Sequence, residues 1–298
     1  MSKSLPILFA IYPLFLSGIA LIWLFKLGKQ NWPNWAAGIL ACGSITAFAF
    51  MTSPWAFTSY YLRYALLGLF AVVAVFSYFR AKRSSRHSSV CDGRITVLPI
   101  LVFLLFTVLN ALVIASHYPS GNTHDVTFPL RSGIYYVLQG GNSAVTNPFH
   151  TLGGSKLATD IVKLNSFGNR ADGIAPRALS AYETFDEKLY SPCQGRIVKV
   201  RDGLLDNPPG NPDVEHSEGN YIVLKCAETN ILMAHLRRGS ISVAPGEVVT
   251  AGQPLAEIGN SGNSLEPHLH IDAMKDGIEI GLRFNGQSLS TNTVITGM

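Results

Sequence analysis

Residues 244–273 read APGEVVTAGQPLAEIGNSGNSLEPHLHIDA, and this stretch decides the fold of the second half of the chain. Three short apolar runs lie in it, at residues 247–249, 255–258 and 268–274. Proline, glycine and asparagine separate these runs, at Pro245-Gly246 and in GNSGN. Short apolar runs bounded by such residues are typical of β-strands joined by tight turns.

The same pattern continues toward the N-terminus as far as residue 117. Further strands are predicted at residues 133–138, 156–163, 195–201, 221–225 and 231–234. No amphipathic helix pattern longer than about two turns interrupts them. Residues 117–298 are therefore predicted to form an all-β domain, with loops at residues 164–182 and 203–219 that would form a groove.

Residues 1–116 differ in composition and are predicted to form a membrane domain. The whole chain is 48% hydrophobic and only 14% charged, and the charge is sparsest in this part. A stretch of about 20 apolar residues can cross the hydrocarbon core of a bilayer. Four helices that could span a membrane are predicted, at residues 4–25, 35–57, 60–79 and 95–116. The first is too long for the core of a cleaved signal peptide, and no small-residue cleavage site follows it.

Basic residues in the connecting segments predict the orientation. Residues 1–116 contain nine lysines and arginines and a single acid, Asp92. Five of the basic residues cluster within residues 80–94, at Arg80, Lys82, Arg83, Arg86 and Arg94. Such loops stay on the cytoplasmic side, so the N-terminus and residues 117–298 are predicted to lie outside. The excess of basic residues thus belongs to the membrane segments and does not indicate nucleic-acid binding.

The four cysteines fit this layout. Cys42 lies in a predicted helix and Cys91 in the cytoplasmic loop, so both are expected to be free thiols. Cys193 and Cys226 border two strands of the exported half, where disulfides are permitted, and antiparallel pairing of those strands would join them. Two buried free thiols are the alternative. Zinc binding by cysteine is not expected, because the chain has no C-x-x-C pair.

Four histidines beside predicted strands are candidates for a functional site. His268 and His270 form an H-x-H pair, and alternate residues of a strand point to the same face. His235 lies near the end of the run ILMAHL, and His150 precedes the strand that contains Asp160. The other four histidines are predicted to lie in solvated loops or linkers: His87, His117, His124 and His216.

Asp160 lies among apolar neighbours, where a carboxylate needs a positive partner. Lys156 or Arg170 would serve as a salt-bridge partner, and a metal ion is the alternative. Together with the histidines, Asp160 completes what a catalytic zinc site requires: three nitrogen or oxygen ligands and two further imidazoles for proton transfer.

The order of these residues, followed by GNSGNS-x-x-PHLH, resembles the lysostaphin-type, or LytM-like, zinc metallopeptidases, which cut peptide cross-links in bacterial peptidoglycan. The resemblance covers residues 133–285 and includes VLQGGNS, SPCQGRIVKV and GNYIVLK. It implies a LytM-like antiparallel β-sandwich with a duplicated hybrid motif, attached here to an all-α transmembrane bundle of about four helices.

The resemblance also implies roles for single residues. His150, Asp160 and His270 would bind Zn²⁺, and His235 and His268 would be the catalytic histidines that act on a metal-activated water. Many members of the family have H-x-x-x-D at the first two ligands, whereas nine residues separate His150 from Asp160 here. His117 and His124 therefore stay open as replacements for His150.

The resulting hypothesis is a multi-pass enzyme of the bacterial inner (cytoplasmic) membrane, with its catalytic domain on the extracytoplasmic or periplasmic side. Its expected partners are a peptidoglycan peptide as substrate and the lipid bilayer. One helix would suffice as an anchor, so docking of a cell-envelope protein partner also stays open.

Three other functions are compatible with parts of the sequence pattern. The zinc peptidase could act on an extracytoplasmic protein or peptide, or the domain could be a non-catalytic activator or binding module. A biotinyl or lipoyl carrier domain shares the hairpin pattern but needs a lysine at the hairpin tip, and none occurs between Lys225 and Lys275. Ser261 and Ser264 are predicted to shape a turn, because the chain has no G-x-S-x-G motif around them.

Overall fold

A computed structural model describes residues 4–87, 96–118 and 121–297 of the chain. Within these residues the chain forms five α-helices and fourteen β-strands. The helices are α1 (Leu5–Leu27), α2 (Trp32–Thr52), α3 (Leu62–His87), α4 (Val97–Ser116) and the short α5 (Pro148–Gly153). Four apolar helices followed by an all-β domain confirm the predicted fold class.

The strands form one large sheet and two small ones. They are β1 (Thr123–Val126), β2 (Ile134–Gln139), β3 (Thr159–Leu164), β4 (Lys188–Tyr190), β5 (Gly195–Arg201), β6 (Asn220–Cys226), β7 (Thr229–Leu236), β8 (Val248–Val249), β9 (Pro254–Glu257), β10 (Leu269–Lys275), β11 (Ile278–Glu279), β12 (Gly281–Phe284), β13 (Gln287–Ser288) and β14 (Val294–Thr296). In the described residues the large sheet has the order β14-β2-β3-β10-β7-β6-β5-β8, with β11 paired to β10. Its pairs are antiparallel, whereas β1 and β12 of a small sheet pair in parallel.

The core of the β-domain lies between the large sheet and the small ones. Side chains from β2, β3, β6, β7 and β10 pack there against Val126 of β1, Leu189 of β4, Leu255 of β9 and Phe284 of β12. The predicted disulfide is present between Cys193 and Cys226, whose Cα atoms lie 6.1 Å apart beside the antiparallel pair β5–β6. Cys42 is a buried free thiol, as predicted, and Cys91 lies outside the described residues.

Helices α1 to α4 are long and apolar enough to cross a membrane. The predicted second helix ended too late, because α2 stops at Thr52 and a separate short turn occupies Trp55–Phe57. Pro54 explains this break, since proline lacks an N–H and disfavours helix in the residue before it. The predicted third helix ended too early, because α3 continues to His87.

Two smaller predictions about position are wrong. His87 belongs to α3, and His124 belongs to β1, so neither lies in a loop. The basic residues Arg80, Lys82 and Arg83 extend the last turns of α3 and do not form a loop. Arg94 lies outside the described residues.

The four long helices run alternately up and down, so that one end of the bundle meets the β-domain. At that end the rings of Phe9 and Phe149 lie 6.3 Å apart, and Ser116 and Ser290 share a hydrogen bond of 3.3 Å. At the other end Trp35 Nε1 donates to Ser77 Oγ, and the Arg80 guanidinium lies over the ring of Phe25. Arg80, Lys82 and Arg83 are therefore at the end of α3 remote from the β-domain, whereas Arg63, beside Tyr60, is at the near end.

The segment between α2 and α3, residues 53–61, docks directly onto the β-domain. We call it the docking turn. The Trp55 amide donates to Tyr136 Oη at 3.2 Å, and the Arg170 amide donates to the Ala56 carbonyl at 3.1 Å. Asn169 Nδ2 donates to the Thr58 carbonyl at 2.9 Å. These bonds join the helices and the β-domain through buried backbone groups.

Candidate metal and catalytic site

The site is built on the sheet pairing of β3 with β10. Asp160 and His270 lie directly opposite each other in this antiparallel pair. Residues opposite each other on one face of a sheet have Cβ atoms about 5 Å apart, so their side chains meet. His270 Nδ1 lies 3.0 Å from Asp160 Oδ1. The alternation recognised in the H-x-H pair thus brings the histidine to a carboxylate 110 residues away in sequence.

His150, Asp160 and His270 form a group in which one ligand atom from each lies within 4.8 Å of the others. His150 Nε2 is 3.3 Å from Asp160 Oδ1, although His150 belongs to α5 and the sequence placed it beside a loop. The three side chains line a cavity of about 1010 Å³. Two imidazole nitrogens and one carboxylate oxygen beside open space fit zinc, whose catalytic sites keep one position free of protein ligands.

Two residues that the sequence analysis missed orient the candidate ligands. His150 Nδ1 donates to Asn147 Oδ1 at 2.7 Å, which leaves Nε2 free to bind a metal. His270 Nε2 lies 3.4 Å from Asp272 Oδ2, so that Nδ1 faces Asp160. Hydrogen-bonded partners of this kind fix the ring orientation of metal-binding histidines. The alternation His268, His270, Asp272 on one strand face was a signal for Asp272, whereas nothing in the sequence pattern indicated Asn147.

His235 and His268 lie beside this group with their rings 4.8 Å apart. His235 Nδ1 donates to the Ser261 carbonyl at 2.9 Å, and His268 Nδ1 donates to the Glu266 carbonyl at 2.8 Å. Each ring therefore presents Nε2 to the cavity. His235 also has a φ of 62°, a region that side chains other than glycine rarely adopt and that is often found at functional sites.

Burial and neighbouring charges shift the pKa values of His235 and His268 in opposite directions. Burial, reinforced by His268 and His270, holds the pKa of His235 well below the usual value, so this imidazole is neutral at pH 7. Burial also opposes charge on His268, but Asp160 outweighs it and raises the pKa. Burial would raise the pKa of Asp160, yet His268 and His150 hold it well below the usual range. Asp160 is therefore a carboxylate, ready to bind a cation.

The turn GNSGN holds His235 through close contact between backbones. Ser261 Oγ donates to the Leu236 carbonyl, and Ser264 Oγ donates to Asn260 Oδ1. Both hydroxyls are buried in the turn, in agreement with the prediction that the serines shape it. At Gly262, with a φ of +74°, an added Cβ would lie 2.3 Å from the Gly219 nitrogen. Only glycine fits this position.

We expect Gly262→Ala to destabilise the protein by about 1–3 kcal/mol more than Gly239→Ala, because a crowded site must shift its backbone. The two glycines have similar φ values, +74° and +70°, but a Cβ on Gly239 meets nothing within 4 Å. The pair therefore separates crowding from backbone strain. Melting of the purified full-length chain measures the difference, and equal melting temperatures would contradict the crowding argument.

The other residues that the sequence offered as ligands or as a partner of Asp160 lie outside the cluster. His117 Nδ1 bonds to the Val113 carbonyl, and His124 Nδ1 lies 3.3 Å from Thr229 Oγ1, so neither replaces His150 in the cluster. Arg170 does not pair with Asp160. Its guanidinium instead binds Glu266 through two hydrogen bonds of 2.6 and 2.7 Å.

The Arg170–Glu266 pair connects the site to the docking turn. Arg170 is almost fully buried, and its guanidinium lies 3.5 Å from the ring centre of Phe57. Glu266, its partner, accepts the His268 Nδ1 hydrogen bond with its backbone carbonyl. His268 is thereby joined to Phe57 of the docking turn through three successive contacts.

Of the two loops predicted to form a groove, one lines the cavity and the other does not. Residues 203–219 contribute Gly210, Ser217 and Glu218, as predicted for that loop. The lining contains no residue of the loop 164–182 among the parts of the chain that the structure describes. Its place is taken by the ends of α1 and α2 and by Pro54 and Phe57 of the docking turn.

The sequence profile described as Peptidase family M23 matches residues 181–282. This range includes His235, His268 and His270 and begins after His150 and Asp160.

Solved structures similar to this chain include three peptidases. They are a zinc containing peptidase from Vibrio cholerae (21% identity, TM-score 0.33), the catalytic domain of the prophage-encoded M23 protein EnpA from Enterococcus faecalis (16%, 0.30) and the catalytic domain of lysostaphin from Staphylococcus simulans (19%, 0.24). The matches cover 51%, 49% and 39% of this chain, respectively. They cover 37%, 88% and 81% of those chains, so the match spans well under half of the V. cholerae chain.

Proposed function

We propose that the chain, whose residues 181–282 match peptidase family M23, is a membrane-anchored zinc endopeptidase. It hydrolyses peptide cross-links of bacterial peptidoglycan on the outer side of the cytoplasmic membrane. The observation that carries this proposal is the cluster itself: a carboxylate and two imidazoles within 4.8 Å of one another, beside two further imidazoles in the same cavity.

His150, Asp160 and His270 are the proposed metal ligands. A zinc ion held there would supply a Lewis acid that polarises the scissile carbonyl and lowers the pKa of a water molecule to about 7. Asn147 and Asp272 hold the two imidazoles in the orientation that this binding needs. The side chains of the cluster are only 12–13% exposed, which strengthens the charge interactions among them.

His235 is the proposed base, because it is neutral at pH 7 and its Nδ1–H is already donated to Ser261. Its Nε2 accepts a proton from water as the water oxygen bonds to the scissile carbonyl carbon. That proton then passes to the nitrogen of the leaving amine as the C–N bond breaks. His268, whose raised pKa favours a proton on Nε2, donates a hydrogen bond to the carbonyl oxygen as negative charge develops there.

The test uses the full-length chain in phospholipid nanodiscs, because the docking turn contributes to the fold of the β-domain. Zinc-loaded protein is incubated with purified peptidoglycan, and new peptide ends are identified by mass spectrometry. We expect cleavage that a chelator abolishes and that fresh zinc restores. Bound zinc without cleavage of peptidoglycan would overturn the proposed substrate and favour a protein or peptide outside the wall. A folded chain that binds no zinc would overturn the enzyme and favour a binding module.

Zinc affinity is expected to rise with pH between about 6 and 8, by roughly tenfold per pH unit, because the ligand imidazoles must lose their protons. Burial lowers the pKa of His270, but hydrogen bonds with Asp160 and Asp272 outweigh it and raise the pKa to about 10 in the metal-free chain. At pH 7 the ring is thus protonated before zinc binds. Calorimetry in buffers of different ionisation enthalpy should detect release of at least one proton. An affinity that does not change with pH would contradict this account.

A further inference from the structure

The cavity that contains the catalytic cluster is shared between the β-domain and the helix bundle. Its volume is about 1010 Å³, and on one side His235, His268 and the three proposed ligands line it. The opposite wall consists of the first two turns of α1 and the last turn of α2, with Leu5, Leu8, Phe9, Tyr12, Phe48 and Thr52. An enclosure built only to cut a polar peptide has no need of an apolar helix wall.

The wall on α1 is continuous with the surface that the helix would present to lipid. Leu8 lines the cavity and is still 57% exposed, so at this residue the cavity is open toward the outer surface of α1. Ile11 and Phe15 continue the exposed apolar surface along the same helix. In a bilayer this surface lies in hydrocarbon. A chain lying in the membrane could therefore pass along α1 and enter the cavity without crossing water.

The helix that carries His150 shows a second, independent sign of contact with the membrane. Phe149 and Leu152 of α5 are 51% and 87% exposed, although α5 belongs to the β-domain. Large apolar side chains exposed on one short helix indicate an interaction with an apolar partner or a membrane surface. Phe149 lies against Phe9 of α1, with ring centres 6.3 Å apart. In a bilayer crossed by α1, Phe149 would therefore lie near the membrane surface, next in sequence to the proposed ligand His150.

We propose that this site takes a lipid-linked peptide, whose hydrocarbon chain lies along α1 while its peptide portion reaches the histidines. The proposal rests on the proposed function and defines its substrate class more closely. A transmembrane helix, about 10–12 Å in diameter, would fill most of the cavity with one or two turns and leave no room for an extended peptide at the cluster. A single hydrocarbon chain leaves that space free.

The experiment compares two probes on the full-length chain in nanodiscs. One probe is a cross-linked peptide dimer released from peptidoglycan, and the other is the same dimer carrying a palmitoyl chain. We expect the KM of the palmitoylated dimer to be at least about tenfold lower, because apolar surface is buried on binding. Equal KM values for the two probes would overturn the lipid-linked substrate and leave the peptidase intact. Failure to cut either probe would overturn the proposed function itself.

A matched pair of variants separates the cavity from simple partitioning of the probe into the bilayer. Leu8→Ser changes a residue that lines the cavity, whereas Ile7→Ser changes its neighbour, which is 49% exposed and outside the lining. We expect the KM preference for the palmitoylated dimer to disappear in Leu8→Ser and to persist in Ile7→Ser. A preference that survives in both variants reflects partitioning alone and would overturn the proposal.

A photoreactive version of the probe gives a readout that does not depend on activity. A diazirine placed at the end of the palmitoyl chain is expected to crosslink to residues 5–12 of α1, as mapped by mass spectrometry. An excess of the palmitoylated dimer without the diazirine should prevent this crosslinking, because it occupies the same site. Labels spread over all four helices, or stronger competition by a single-span helical peptide, would contradict a specific path for a lipid chain.

Discussion

Replacing His235 with alanine is expected to lower kcat for peptide hydrolysis about a thousandfold, the typical size of a general-base contribution. Zinc content should stay at that of the unchanged chain, because His235 is outside the group of three ligands. The reason for the loss is that His235 presents Nε2 to the cavity while its Nδ1–H is donated to the Ser261 carbonyl, and an alanine side chain accepts no proton. Activity on peptidoglycan and metal analysis of the same sample measure the two quantities.

The control for this variant is His216→Ala. His216 pairs with Asp213 at 2.7 Å on the surface, so this variant also loses one histidine but removes no side chain from the cavity. His235→Gln serves as a second variant, since glutamine keeps most of the volume and a donor for the Ser261 carbonyl. A kcat above about a tenth of the original value in both variants, with correct folding, would remove His235 from the role of base.

Asp160→Asn is expected to weaken zinc binding by at least about a hundredfold, because it removes the charged ligand and leaves its shape unchanged. Asp160 accepts contacts from three histidine rings, at 3.0 to 3.4 Å, and balances their charge in the metal-free chain. Zinc per chain, measured after dialysis against a weak chelator, should fall from about one to near zero, and activity should fall with it.

Asp213→Asn and Asp272→Asn are the comparison variants for the zinc measurement on Asp160→Asn. Asp213 touches only a surface histidine among its ion-pair contacts, so its loss should leave zinc unchanged. Asp272 orients His270 from its far side, and its loss should weaken zinc binding about tenfold. If Asp160→Asn kept its zinc while Asp272→Asn lost it, the carboxylate ligand would be Asp272.

The helices and the main strands were accessible from sequence because each depends on local composition. Hydropathy located α1 to α4, but it misplaced the end of α2, where Pro54 breaks the helix, and the end of α3, which continues to His87. Alternation located β2, β5, β6, β7 and β10. The strands β1, β4 and β11 to β14 were missed, since they have two to four residues each and depend on pairing with distant partners.

The residues of the candidate site fall into the same two groups: those that a local pattern predicts, and those that depend on distant contacts. The H-x-H pair and Asp160 were found because period-two alternation predicts which side chains share a strand face. Asn147 and the Arg170–Glu266 pair were not found, since contacts between segments as far as 96 residues apart leave no local pattern. The apolar wall from α1 was inaccessible for the same reason. Its residues look like ordinary membrane helix until the β-domain is placed beside them.

The docking turn bears on how proteolysis would affect the protein and on how its two domains evolve. Cleavage of the chain between α4 and β1 would not shed a competent soluble peptidase, because Tyr136 and Arg170 would lose the Trp55 and Ala56 backbone groups to which they bond. The Arg170 guanidinium, which binds the Glu266 carboxylate, would lose its contact with the ring of Phe57 as well. Proteolytic release would thus be an off-switch, and the anchor and the peptidase are not modules that recombination can exchange separately.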